Sequence, residues 1–274
     1  MSFERKKRVS SIIYLLQQKN EISVKELAEL SHVSEMTIRR DLNLLEKQGL
    51  IKRTHGAAVL QDPNTNERYP YIHGEQKTKN AFEKNLIGKK AATLVEPHDI
   101  IFLDSGTTTP FVVKNLDPEL PITALCYTFT NALELYPRKN TNLILLGGLF
   151  HRDSSIFFST ECYDLIKHTR ADKAFIATAG FDPKMGLTTF FDYEAAIKRE
   201  MIRSARKIIL VVDSSKFGQI SVAHFAELED IHTIITDDGI SDEYRQIFVD
   251  HKKELIIASR DEINPIPEVQ GNDY

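Results

Sequence analysis

The spacing of apolar side chains changes character along the chain. Before residue 60 they recur at helical intervals: Val9, Ile12, Ile13 and Leu16 in a helix predicted over about 4–19, Val24, Leu27 and Ala28 over 23–30, and Ile38, Leu42 and Leu45 over 34–45. Ser23 stands as an N-cap with Glu26 three residues on, a capping-box pair, and Ser34 is placed to cap the third helix. The connector Ser31, His32, Val33 gives the spacing of a helix-turn-helix. In the third helix Met36, Arg40, Asn43 and Lys47 fall opposite the apolar stripe, with Thr37 and Arg39 on its flanks. Leu50–Arg53, a turn at Thr54–Ala57 and Ala58–Leu60 then predict a short hairpin, a wing.

A polar stretch over 61–80, punctuated by Pro63 and Pro70, reads as a linker. A helix is expected at Glu83–Leu94, closed by Pro97. Short continuous apolar runs follow, at 99–104, 122–127, 143–148, 173–180, 207–215, 233–237 and 254–259, alternating with helices. That alternation predicts an α/β domain over 81–260 with a largely parallel sheet buried on both faces. The tail, 261–274, is expected to be irregular.

Composition refines this division. A chain of 274 residues, 42% hydrophobic, supports two unequal cores. The formal charge of −4 conceals an asymmetry: residues 1–58 hold eleven Lys and Arg against seven Asp and Glu, a net of +4, which leaves −8 for the remainder. The first segment is therefore the one suited to a polyanion, through a local patch. Two cysteines, Cys126 and Cys162, are too few for a disulfide framework or a zinc site, and the histidines form no ligand cluster. No metal and no cofactor is expected. A charged N-terminus and the lack of any run of about eighteen apolar residues argue against secretion or a membrane span and for the cytoplasm.

The third helix offers hydroxyl, amide and guanidinium groups near its start, as a recognition helix does in a major groove. Ser34, Thr37, Arg39, Arg40 and Asn43 are the candidate DNA contacts there, and Lys52, Arg53 and His55 of the wing can rest on the phosphate backbone. The competing readings are an ordinary amphipathic surface helix, and turn packing for His55. In the second half, ligands of open α/β sheets bind beyond the carboxyl ends of strands. The first such end gives Asp104, Ser105, Gly106, Thr107 and Thr108, with the chemistry of a phosphate cradle but without the spacing of a Walker loop or a dinucleotide turn. Others deliver Asn131, Gly147 with Gly148, and Asp213 to Lys216, and Glu194 opens a later helix. Helix capping by Ser and Thr, a solvated lysine and a helix-terminal glutamate are the plainer alternatives.

Residues 1–60 resemble the winged-helix domain of the DeoR family of bacterial transcriptional regulators. The likeness rests on Arg8, Ile12 and Leu16, on Ser34 and Thr37–Leu42, and on Arg53, His55 and Gly56, with Ala57 where the family usually has a second glycine. The second half resembles that family's effector domain, similar in fold to ribose-5-phosphate isomerase and the coenzyme A transferases. Here the matching pieces are Asp104–Thr108, Thr130–Asn131, Gly147–Gly148, Gly186–Thr188 followed by Glu194, and Asp213–Gly218. The resemblance implies a regulator, most often a repressor, that binds a double-stranded operator as a homodimer or higher oligomer and senses a phosphorylated sugar gripped by Ser105–Thr108 and Lys216. Two alternatives stand beside it. One is a sugar-phosphate isomerase with an appended DNA-binding domain, using Asp104, Glu194 and Lys216; the other is an adaptor whose winged helix contacts protein.

Overall fold

Two serine hydroxyls set the helix starts in the N-terminal segment. The chain, seen in a computed structural model, is described at residues 8, 9, 12, 15, 16, 21–47, 51–54, 56–60, 80–152 and 154–259. After a short strand β1 (Glu21–Ser23), Ser23 Oγ accepts from the Glu26 N–H at 3.1 Å and opens α1 (Val24–Leu30). Ser34 Oγ accepts from the Thr37 N–H at 3.3 Å and starts α2 (Glu35–Lys47). Between them His32 takes a left-handed φ of 52°, and the His32 and Val33 amides return to the Glu29 and Ala28 carbonyls, which fixes the turn. Of the first expected helix, the described residues are all helical, and Val9, Ile12 and Leu16 are buried. Ile13, and the linker up to residue 79, lie outside the described residues, as does the tail.

The expected wing is the hairpin of β2 (Ile51–Arg53) and β3 (Ala57–Leu60), and β1 joins it as a third strand, antiparallel to β3. That strand is not expected from the sequence, because, unlike β2, it has no turn beside it to mark a hairpin and pairs with a strand more than thirty residues away. Gly56 takes φ +87° at the hairpin end while Ala57 is already in the strand. Alanine at that position therefore carries no left-handed strain.

The α/β part begins with α3 (Ala81–Ala92), two residues earlier than its apolar pattern suggests. It continues with β4 (Ile100–Leu103), α4 (Thr109–Asn115), β5 (Ile122–Cys126), α5 (Phe129–Leu135) and β6 (Thr141–Leu145). Next come the hairpin β7 (Leu149–His151) and β8 (Ile156–Phe158), α6 (Thr160–His168) and β9 (Ala171–Ile176). The remaining elements are β10 (Gly180–Asp182), β11 (Gly186–Thr189), α7 (Asp192–Ser204), β12 (Ala205–Val211), β13 (Ala223–Ala226), β14 (Thr233–Asp237), α8 (Asp242–Asp250) and β15 (Glu254–Ala258). The run 173–180, expected as one strand, is divided: β9 stops at Ile176, and Gly180 opens β10 in another sheet.

The chain forms two compact units. Residues 1–72, 178–200 and 216–230 make the first; 73–177, 201–215 and 231–274 make the second. In the first, Ile22, Leu27, Ile38, Leu42, Leu45 and Ile51 pack in one apolar cluster that also takes in Met185, Ile220 and Val222 from the stretch holding the small antiparallel sheet β10-β11-β13. In the second, seven parallel strands run in the order β15-β14-β12-β9-β4-β5-β6. Connections lead outward from β4 through β5 to β6 in one direction and from β9 through β12 and β14 to β15 in the other. The neighbours β4 and β9 therefore flank a topological switch point, where such sheets bind ligands.

Gly88 of α3 lets two helices touch at backbone distance: a Cβ there would lie 2.5 Å from the Phe111 carbonyl carbon of α4. Gly88→Ala is expected to lower unfolding free energy by about 1–3 kcal/mol, the range for overpacking, read as a lower urea midpoint at unchanged m-value. An unchanged midpoint would show that α3 and α4 have room to separate.

Candidate functional site

Two places collect the candidate residues. On α2 the apolar side, Ile38, Leu42 and Leu45, is fully buried, and Asp41 beside it is held by the Arg8 guanidinium at 2.7 Å. The helix is thereby tied to the first helix by a largely buried ion pair, whose partners are costly to separate. Its opposite side presents Met36, Arg40 and Asn43, all exposed. Arg40 makes no ion pair among the described residues. Arg39 pairs with Glu35 at 3.3 Å along the helix, and the Ser34 and Thr37 hydroxyls meet at 3.0 Å within the cap.

The wing cations take different places. Lys52 is exposed on β2 without an ion pair among the described residues. Arg53 Nη1 donates to the Asn43 side-chain oxygen and lies 4.0 Å from Glu46, while its own N–H donates to Glu46 at 3.3 Å. Arg53 thus braces the wing strand against α2. His55 lies outside the described residues. A thioether and a guanidinium on one open helix face are groups that read thymine methyls and guanine edges in a major groove; the Asn43 carboxamide beside them keeps its amino group free of Arg53, which holds only its oxygen.

The second place is the switch point. Asp104, directly after β4, is fully buried: one carboxyl oxygen accepts from the Tyr127 hydroxyl after β5, and the other accepts from the Ala177 N–H after β9 at 2.8 Å. The Tyr127 hydroxyl also accepts from the Ser105 N–H at 3.1 Å and lies 2.9 Å from Ser105 Oγ. Asn131 Nδ2 donates to the Asp104 carbonyl at 2.9 Å and to Thr109 Oγ1 at 3.3 Å. Asp104 and Asn131 are therefore the struts of this loop. Asn131 Oδ1, in contrast, is a buried acceptor without a donor among the described residues.

Strung between the struts are Ser105, Gly106, Thr107 and Thr108, all buried. Gly106 has φ +135°, and a Cβ there would stand 2.7 Å from the Ala177 methyl. Among the described residues no backbone carbonyl accepts from the Gly106, Thr107 or Thr108 amides. Buried amides of this kind need a partner, and an oxyanion supplies one.

Gly147 and Gly148 follow the edge strand β6. A Cβ on Gly148 would meet the Phe158 carbonyl at 2.3 Å, so this glycine permits the close turn into the β7–β8 hairpin, which in turn is bonded to Tyr127 and Phe129 through backbone amides. Glu194 and Lys216 belong to the first unit. Glu194 is buried near the start of α7 and accepts from the Thr189 hydroxyl; Lys216 closes a short 3-10 turn. Asp213 takes a bond from the Asn80 side-chain amide at 2.9 Å, where the chain enters α3. Among the described residues no group of His, Cys, Asp and Glu is arranged to hold a metal ion, and no helix is long and apolar enough to cross a membrane.

Tyr127 escaped the sequence reading, because a tyrosine ending an apolar run looks like core. Its only signal was its place one residue past a strand end. Burial pushes the neighbouring Cys126 thiol up to about 12.

Residues 8–64 match the model of the DeoR-like helix-turn-helix domain, and residues 79–238 match the DeoR C terminal sensor domain. The deoxyribose operon repressor of Escherichia coli K12 is 34% identical over 244 residues, covering 89% of this chain and 95% of that protein. The HTH-type transcriptional regulator GolR of Listeria innocua is 36% identical over 234 residues, covering 85% and 91%. Ribose 5-phosphate isomerase A of Methanocaldococcus jannaschii superposes at a TM-score of 0.38 with 17% identity, over 50% of this chain and 55% of that one.

Two outcomes test the switch-point geometry. Tyr127→Phe removes a hydroxyl that serves Asp104 and Ser105 and is expected to cost about 1–3 kcal/mol, the penalty for buried groups left unpaired; a stability equal to wild type would remove Tyr127 from the network. Cys126, protonated through neutral pH, is expected to resist iodoacetamide in the folded protein and to react in guanidinium. Rapid alkylation of the folded chain would contradict its burial.

Proposed function

Because the chain belongs to the DeoR family of bacterial transcriptional regulators, we propose that it represses a sugar-metabolism operon and yields control to a phosphorylated sugar. It is a DNA-binding regulator acting in the cytoplasm. Residues 1–60 are its reader, 61–80 its linker and 81–260 its sensor and oligomerisation domain. The observation that carries this reading is α2: one side is locked into the core by Ile38, Leu42, Leu45 and the Arg8–Asp41 pair, and the other offers Met36, Arg40 and Asn43 to solvent.

In this reading α2 enters the major groove of a double-stranded operator. Arg39, Arg40 and Asn43 reach base edges and phosphates, Ser34 and Thr37 sit at the helix start near the backbone, and Lys52 and His55 rest on phosphates. Arg53 acts chiefly by bracing the wing, since its guanidinium is engaged by Asn43 and Glu46. Two readers bind two half-sites about one helical turn or a multiple apart, which calls for a homodimer or higher oligomer.

The effector is placed at Ser105–Thr108, where open amides suit phosphate oxygens and the unpaired Asn131 Oδ1 suits a sugar hydroxyl. Asp104 shapes this seat, and Gly147 and Gly148 follow a strand of the same sheet; Glu194 and Lys216, the other two effector candidates, belong to the first unit. Binding controls repression only through unequal affinity for the DNA-competent and DNA-released arrangements. An isomerase role is disfavoured by Asp104: both its carboxyl oxygens already accept hydrogen bonds, which leaves it ill placed to take a substrate proton. The relatives' names also describe regulators.

Gel-shift titration against the DNA upstream of its own operon tests the reader. Lys52→Ala should weaken binding to all sequences and reduce the salt slope by about one. Arg40→Ala should cost about 1–3 kcal/mol and relax discrimination at one base position. Unchanged binding by both variants would remove α2 and the wing from the interface. For the sensor, phosphorylated sugars should raise the melting temperature of the full chain where their unphosphorylated forms do not; the reverse order would overturn the anion seat.

A further inference from the structure

The second unit leaves one edge of its sheet open and apolar. β6 pairs with β5 on one side and with no described strand on the other. Its sequence, Thr141–Leu145, carries no charge and no proline, and Ile144 and Leu145 are exposed. The opposite edge strand, β15, starts at Glu254 directly after Lys252 and Lys253, charges of the kind that guard an edge against pairing.

Exposed apolar side chains continue from β6 onto its neighbours. On α5, Phe129, Leu133 and the C-cap Tyr136 fall at intervals of four and three, one helical stripe, and are 48%, 57% and 83% exposed. Leu149, on the hairpin after β6, is 69% exposed, and the ring of the adjacent Phe150 meets that of Phe129 at 6.2 Å in an edge-on contact. Stripe and hairpin are therefore one surface.

We propose that this surface is where a second copy of the chain docks, with β6 lying antiparallel to its twofold-related copy. The proposal rests on the regulator reading, which requires two readers, and adds the place where they are joined. Three observations favour a second copy over another partner. An uncharged strand edge is complementary to itself under a twofold axis, because each unpaired N–H and C=O meets its counterpart. The stripe carries no excess of one charge to select an oppositely charged partner: Glu134, its one ionic residue, is paired with Lys114 at 3.4 Å. The exposed apolar side chains together offer on the order of 600 Å² per copy, so a symmetric contact would bury roughly 1,200 Å², the lower bound of a stable interface.

Sedimentation velocity on the full-length protein across the micromolar range tests this. Wild type is expected to be dimeric or a multiple of dimers. Leu133→Glu on the helix and Leu149→Glu on the hairpin should each weaken self-association by at least about tenfold, since the twofold axis sets like charges near one another. Their circular dichroism should remain that of wild type. Val249→Glu, at an exposed apolar site on α8 outside the surface, serves as the comparison and should leave association unchanged. Dimers that persist in both variants, or that Val249→Glu disrupts equally, would overturn the assignment. A monomeric wild type that still retains operator DNA would overturn the surface while sparing the regulator reading; a dimer with no affinity for DNA would do the opposite.

Discussion

A single buried carboxyl group holds the switch-point end of the parallel sheet together. Asp104 draws one hydrogen bond from the residue after β5 and another from the residue after β9, so the ends of three adjacent strands are tied at one point. A buried polar group that lost either donor would bear a desolvation penalty comparable to a fair fraction of a domain's stability. The neighbours are accordingly obligatory, and the turn that starts at Ser105 inherits their rigidity. Asn131 closes the arrangement from the far side by gripping the Asp104 carbonyl and Thr109. Asp104 and Asn131, which look like ligands in sequence, thus spend their polar groups on building the loop, and Asn131 Oδ1 alone of these is left without a donor among the described residues.

The same economy holds on α2. Its apolar stripe and the Arg8–Asp41 pair fix the rod, while Ser34 and Thr37 satisfy its first turn. Only then are Met36, Arg40 and Asn43 available at a defined angle. Arg53 serves geometry first: it joins the wing to the helix it flanks.

What the sequence disclosed was local. Ile38, Leu42 and Leu45 announce a helix face because their spacing is that of the helix itself, and the runs around Ile101, Ala124, Phe175 and Leu210 announce strands because a parallel sheet is buried on both sides. Three-residue strands such as β1, β7 and β10 left no trace, being defined by distant partners and not by their own pattern. Gly148 read as a ligand turn, and its demand for space against Phe158 appears only in three dimensions. Tyr127 and the Ala177 amide were invisible for the same reason: a hydrogen bond across 23 or 73 positions has no signature in the order of residues. The sequence suggests only a short helix near Ala132–Tyr136, which leaves out Phe129, and the exposure of Phe129 and Leu133 has no signature in the order of residues.

Met185, Ile220 and Val222 share an apolar cluster with Ile12, Leu27 and Leu42. A ribosome delivers the N-terminal segment first, yet its last packing partners leave the exit tunnel some hundred and sixty residues later, roughly ten to thirty seconds on at ordinary elongation rates. During that interval the nascent winged helix carries an unfinished apolar side. Its affinity for DNA would then mature only once the chain is almost fully made.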